Sequence, residues 1–392
     1  MKHLFLFDID GVLVEARGYL EALQETVNHF SRQMSLKEFA PTEKEVRIFE
    51  VNGFTSEWAS GAVCVAALLL EWLHCETNIP LPARWPDALA ILAAYPRPFI
   101  RPDYVTLFQD TGERLKNGGI PAQAARAIFR EKVPGLKLKY PSAASALLDT
   151  LLGHTHDFYR APVTRYFQHL VIGSRAVAQT YGVDPDFESP AYLERFDRPL
   201  LSPEVRRKLE GATANGQARV ALYTARPSLP PIEADSLATG YSPEAEMARN
   251  LVGLVKWPII GAGKMRWLAG QSGERLETLV KPSPVQALAA IGAARSGQEE
   301  TALRAALALH GEGKLLPPLA DLHEITIHVF EDSVGGLVAV KGGIEALQRA
   351  GAKLAWQPYG IASGGSKAAA LAAQGVPVYP SVNKAALAAL VG

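Results

Sequence analysis

The sequence predicts an α/β protein: a doubly wound parallel sheet with a large, mainly helical segment inserted after the first strand. Three observations carry this reading. Apolar runs of strand length recur at residues 4–9, 219–223, 325–330, 353–356 and 376–379. Several end in Gly, Pro or Ser and lead into Ala/Leu-rich helical stretches, such as 343–350 and 367–374, the latter closed by Gly375. Strand, loop, helix, strand is the pattern of a parallel sheet covered by helices. Between the first two strands, residues 19–211 are dominated by helical patterns broken by proline clusters.

The elements follow in order. Residues 4–7 suit a buried parallel strand, bounded by the turn-forming Gly11. Residues 55–74 form a long apolar helix, and 121–132 and 143–152 are shorter amphipathic ones. Another spans 162–181 and stops at Gly182, while 79–86 and 95–103 are proline-rich connectors. The sheet resumes at 219. A loop-rich and then helical insert covers 228–277, a helix covers 285–294, and a second insert at 296–322 holds a helix at 299–309. The expected division is a sheet domain at 1–18 plus 212–392 and a helical domain at 19–211.

Composition narrows the partners. At 392 residues the chain exceeds one typical domain. Its 40 basic and 40 acidic residues cancel, so charge points to neither nucleic acid nor an anionic membrane. The uncharged apolar stretch 59–70 is interrupted by Glu71 and is too short to span a bilayer. Charged aspartates stand where a signal peptide's apolar core would continue, so a cytoplasmic location is expected. Cys64 and Cys75 lie in an apolar helical stretch, which reads as two buried thiols in a reducing compartment.

The chemistry gathers at strand ends. Asp8 and Asp10 close the first strand and, two residues apart, share a face. Two carboxylates at the end of a buried strand repel and are poorly solvated; a divalent cation, a phosphate-bearing substrate or a shared proton relieves that cost. Thr224 and Ala225 follow the strand at 219–223, where a hydroxyl and turn N–H groups can hold phosphate oxygens. Thr in a strand is also plain β-propensity. Lys281 precedes the helix at 285–294, where a cation opposes the helix dipole unless an anion is near; a solvated surface lysine is the alternative. Glu331 and Asp332 end the strand at 325–330 and offer oxygen ligands suited to Mg²⁺, or simply cap the next helix.

The order acid pair, Thr, Lys, acid pair resembles the four motifs of the haloacid dehalogenase-like superfamily, most of whose members are Mg²⁺-dependent phosphohydrolases. FDIDGVL matches the first motif, ALYTARP the second, VKPSP the third and VFEDSVGG the fourth. The family often carries a cap domain between its first and second motifs, where this chain has its insertion. The resemblance implies that Asp8 attacks phosphorus and that Asp10 protonates the leaving oxygen and then activates water. It implies that Thr224, Ala225 and Lys281 hold phosphoryl oxygens. Asp332, with Glu331, would complete a Mg²⁺ site alongside Asp8 and the backbone carbonyl of Asp10. The implied substrate is a small phosphorylated metabolite. A phosphomutase, or a binding protein that kept the fold without the chemistry, are the alternatives. Many members place a second acid one helical turn after the fourth-motif Asp, and here Gly336 holds that position.

Other motifs are weaker. Residues 261–265 look like a phosphate loop, but Met265 stands where a Ser or Thr would be needed. Residues 360–367 have the right glycine spacing but end in Gly-Ser-Lys, and both read as ordinary loops. His154 and His156 lack further ligands at metal spacing. Residues 51–58 mix polar and aromatic groups that could read a leaving group, or cap the following helix through Thr55 or Ser56 with Trp58 packed inside.

Overall fold

Successive side chains of a strand face opposite ways, and Leu4, Phe5, Leu6 and Phe7 are all apolar. Such a strand needs an apolar layer on each side. The computed structural model, which describes residues 2–95, 99–116, 118–232 and 241–391, supplies both layers. Its strands are β1 (His3–Phe7), β2 (Val14–Glu15), β3 (Arg198–Pro199), β4 (Ala218–Tyr223), β5 (Ile259–Ile260), β6 (His323–Glu331), β7 (Lys353–Ile361) and β8 (Val378–Tyr379). Six form one parallel sheet in the order β5-β4-β1-β6-β7-β8, and β2 pairs with β3 antiparallel.

Leu4 and Leu6 pack with Leu288, Ala305 and Val340, from the helices Pro284–Ser296, Glu299–Glu312 and Val334–Arg349. Phe5 and Phe7 pack on the other face with Leu209, Ala248 and Ala385, from Pro203–Ala214, Glu244–Leu251 and Val382–Val391. Helices therefore cover both faces, and the fold is the expected doubly wound α/β sheet. Every residue from 285 to 294 is buried, because Pro284–Ser296 packs against strands and against other helices. A helix apolar all round fits that position and no exposed one.

The chain divides into two compact units, Met1–Ala16 with Phe196–Gly392, and Arg17–Arg195. The second is helical, with no strand among its described residues. Its longest apolar helix, Glu57–Cys75, is buried along most of its length. That helix is long and apolar enough to cross a membrane, but 78% of its apolar window is buried, so that surface serves packing. Cys64 is buried, while Cys75, at the helix end, is exposed rather than buried as the sequence suggested.

Several boundaries differ from the sequence reading. Residues 196–211 belong with the sheet, because Leu201, Val205 and Leu209 face its core. β7 runs on through Pro358 to Ile361, where the sequence showed turn formers. A proline is tolerated there because β8 is only two residues long and pairs with Gly360 and Ile361, leaving Pro358 unpaired on that side. The helix after β6 begins at Val334, not 343, since Ser333 caps it by accepting from Gly336 N. Part of the insert at 228–277, residues 233–240, lies outside the described residues, as do residues 96–98 of the connector at 95–103.

Candidate active site

The sheet register assembles the site. Phe7 lies level with Leu222 of β4 and Phe330 of β6, so the next residue along each strand is Asp8, Tyr223 and Glu331. All three stand at the carboxyl edge of the sheet, where open α/β folds bind ligands. Asp8 N donates to Phe330 O at 3.0 Å, which fixes the backbone at the point of exit.

Asp8 is 7% exposed. Its Oδ1 lies 3.0 Å from Lys281 Nζ, which also reaches Glu331 Oε2 at 3.1 Å and sits 4.0 Å from the Tyr223 ring centroid. Lys281 comes from the turn before Pro284–Ser296 and is no surface lysine. Burial pushes the Asp8 carboxyl well above its ordinary range, and the Glu331 charge adds to this while Lys281 opposes it. Burial pulls Lys281 down, yet Asp8 and Glu331 outweigh it and hold the ammonium above its ordinary value.

Glu331 is fully buried and collects three donors: Lys281 Nζ, Tyr223 OH at 2.5 Å and Ser333 Oγ at 2.5 Å. A buried carboxylate requires such a set. The neighbouring Asp332 forms an ion pair with Lys367. Burial pushes the Asp332 carboxyl up, and the Lys367 charge works against that rise.

Asp8, Glu331 and Asp332 each offer an oxygen within 4.8 Å of the others, the one His/Cys/Asp/Glu group of three or more with this spacing among the described residues. Gly11 makes room for it. With φ +74° it turns the chain back, and a Cβ there would lie 2.0 Å from Asp332 Oδ2.

Thr224 is buried at the end of β4, and its hydroxyl accepts from Arg226 N at 3.1 Å. Gln286 Nε2 donates to its carbonyl at 2.8 Å, and Ala225 beside it is exposed. Asp10 does not meet the lysine. It is gripped by Arg226, whose Nε lies 2.9 and 3.0 Å from its two oxygens and whose Nη2 lies 2.5 Å from Oδ1. The same Nη2 donates to Asp197 Oδ2 at 2.9 Å.

Sequence reasoning found Asp8, Asp10, Thr224, Lys281, Glu331 and Asp332, and the structure brings all of them to one edge of the sheet. It missed Tyr223, Arg226, Asp197, Ser333 and Lys367. Arg226 and Lys367 were visible only as parts of ALYTARP and the glycine-rich 360–367; that stretch does turn from strand to helix, beginning at Gly365. His154 and His156 join no metal-type group among the described residues. Ser56 caps Glu57–Cys75 without a side-chain hydrogen bond, and Trp58 donates to Gln168 Oε1 at 2.8 Å.

No family model and no curated protein sequence matches the chain. Among solved structures, an X-ray structure of a Northeast Structural Genomics Consortium target aligns with 100% of this chain and 98% of its own, at 14% identity and a TM-score of 0.65. The phosphatase Tt82 from Thermococcus thioreducens aligns over 99% of each chain at 14% identity, with a TM-score of 0.46. The first likeness bears on the fold alone, and the second is too distant in shape to bear on the chemistry.

Proposed function

We propose that the chain is a Mg²⁺-dependent phosphatase of the haloacid dehalogenase-like superfamily, acting on a small phosphorylated metabolite. The observation that carries this reading is the meeting of Asp8, Lys281, Glu331 and Asp332 at the carboxyl edge of the sheet.

The donor set fits the metal. Three carboxylates crowd together, two of them with raised proton affinity, and all offer oxygen. Oxygen-only donors suit Mg²⁺, which uses one or two carboxylates and leaves room for phosphate. Glu331 already accepts from Tyr223, Ser333 and Lys281. Asp8, Asp332 and the backbone carbonyl of Asp10 are therefore the proposed ligands, with Glu331 holding Lys281 in place. Bound there, Mg²⁺ would offset negative charge on the transferring phosphoryl group.

The chain's own residues supply the rest. An Asp8 oxygen attacks phosphorus while the bond to the ester oxygen breaks, leaving an aspartyl-phosphate. Asp10 gives a proton to the departing oxygen. Asp10 then takes a proton from water, which attacks phosphorus, and the bond to Asp8 breaks with release of phosphate. Lys281 and Thr224 offset and hold phosphoryl oxygens, since this chemistry rests on positioning and charge stabilisation.

Hydrolysis of p-nitrophenyl phosphate with and without Mg²⁺ tests the reading. Turnover should need the metal and vanish in Asp8→Asn, and tetrafluoroberyllate should bind at Asp8. Turnover that survives Asp8→Asn would reject Asp8 as the nucleophile.

A further inference from the structure

Asp10 must present one oxygen to a leaving group, yet it is half-exposed and stands just before the turn at 11–13. A short carboxylate in such a place rotates freely unless it is held. Arg226 holds it. Arg226 is 2% exposed, and its Nε and Nη2 both donate to Asp10. A planar fork on a carboxylate fixes orientation as well as distance.

The guanidinium is itself fixed from behind. Asp197 is 5% exposed and accepts from the same Nη2 at 2.9 Å. Arg226 N also donates to Thr224 Oγ1, and Arg226 O accepts from Ala262 N at 2.9 Å, so its backbone is pinned as well. Asp197 follows Phe196, where the chain re-enters the sheet unit. Three distant segments thus converge on one buried cation.

We propose that Arg226, anchored by Asp197, is the positioning residue that aims Asp10 at the leaving-group oxygen. This rests on the phosphatase reading and adds to it a requirement that reading does not contain. Arg226 does not touch the reacting atoms; it acts through Asp10. Its loss should therefore matter in proportion to how badly the leaving group needs a proton.

The test is the single-turnover rate of ester cleavage, with enzyme in excess, across aryl phosphates from p-nitrophenyl to phenyl. Nitrophenolate leaves without a proton, whereas phenolate needs one. Wild type should show a shallow dependence on leaving-group acidity. Arg226→Lys and Asp197→Asn should each lose about 100-fold on phenyl phosphate, the scale of general acid catalysis. On p-nitrophenyl phosphate they should stay within about threefold, with little change in KM. Equal losses on both esters, or no loss on phenyl phosphate, would overturn the positioning role. Circular dichroism checks that each variant folds, and Asp197→Asn keeps the side-chain shape should Arg226→Lys fail to fold. A wild-type chain that cleaves neither ester would instead reject the phosphatase reading, and this proposal with it.

Discussion

Glu331 occupies the space that a side chain at Gly336 would need. A Cβ on Gly336 would lie 2.0 Å from Glu331 Oε1 and 2.5 Å from Oε2. The absence of a second acid one turn after Asp332 thus has a steric cause. The acid adjacent to Asp332 in sequence folds back over the helix start, where Ser333 caps Gly336 N and donates to Glu331. Gly336→Ala should cost ~1–3 kcal/mol through overpacking, read as a lower midpoint in urea. Gly336→Asp should lower the midpoint too and should not raise turnover, because its carboxylate would displace Glu331 from Lys281.

The buried charges at the end of β1 make the metal-free protein pH-sensitive. Asp8 has its proton affinity raised in the fold, first by burial and then by Glu331. A carboxyl raised in this way favours folding below its unfolded pKa, and the advantage is lost as pH rises through the folded value. The ionised form of Asp8 is therefore a net burden in the fold without a cation. Asp8→Asn should raise the melting temperature in EDTA at pH 7.5 while abolishing turnover. A lower melting temperature for that variant would show that the Lys281 pair outweighs the burial cost.

Divalent cation should relieve the same burden in wild type. A ligand that binds only the folded state stabilises it by ~2.7 kcal/mol at a hundredfold excess over Kd. Mg²⁺ should raise the melting temperature of wild type and leave Asp332→Asn nearly unmoved. Calcium, with its larger coordination sphere, should bind without supporting turnover. Equal Mg²⁺ shifts in wild type and Asp332→Asn would place the ion elsewhere.

Tyr223 separates two supports of Lys281. Its ring lies under the ammonium at 4.0 Å, and its hydroxyl donates to Glu331. Tyr223→Phe keeps the ring and removes the donor, leaving Glu331 with Lys281 and Ser333. Stability should fall by about 1–3 kcal/mol, the cost of one unmet buried bond. Turnover should fall less than in Lys281→Met, because the lysine keeps its contact with Asp8. Steady-state rates and urea midpoints on the two variants read both effects.

The sheet was legible because its strands are short and apolar, as in residues 4–7 and 219–223, and because later ones lead into helix formers at 343–350 and 367–374. The site was legible where a charged residue ends such a strand: Asp8, Glu331 and Asp332 each break an apolar run. Arg226 was not legible, because nothing local says that its partners are Asp10 and Asp197, 216 and 29 residues away. Tyr223 was hidden for the opposite reason, since an aromatic in a strand needs no special explanation. The sequence boundary at 211 falls inside the helix Pro203–Ala214, because a helical pattern reports that a face is buried, not what buries it.

His328 gives the fold a second acid-sensitive point, on the face of the sheet lined by Phe5 and Phe330. It stacks on Phe5 with ring centroids 4.7 Å apart, lies 3.0 Å from His3 Nδ1 and 3.2 Å from the Tyr359 hydroxyl. Burial, with His3 as a second cause, lowers its pKa from 6.5 to about 4. Above pH 6.5 the ring is neutral in both states and contributes no pH dependence. As pH falls below that value the unfolded chain takes up a proton that the folded one refuses, so stability declines until about pH 4. His29, lowered to about 4 by burial and by Arg32, adds a slope of the same sign in the helical unit. His328→Phe should lower the midpoint at pH 7.5, by leaving Tyr359 without its partner. It should also flatten the decline between pH 6.5 and 4 relative to wild type. Urea midpoints across that range decide it, and an unchanged slope would mean that His328 takes up its proton in the folded state as readily as in the unfolded one.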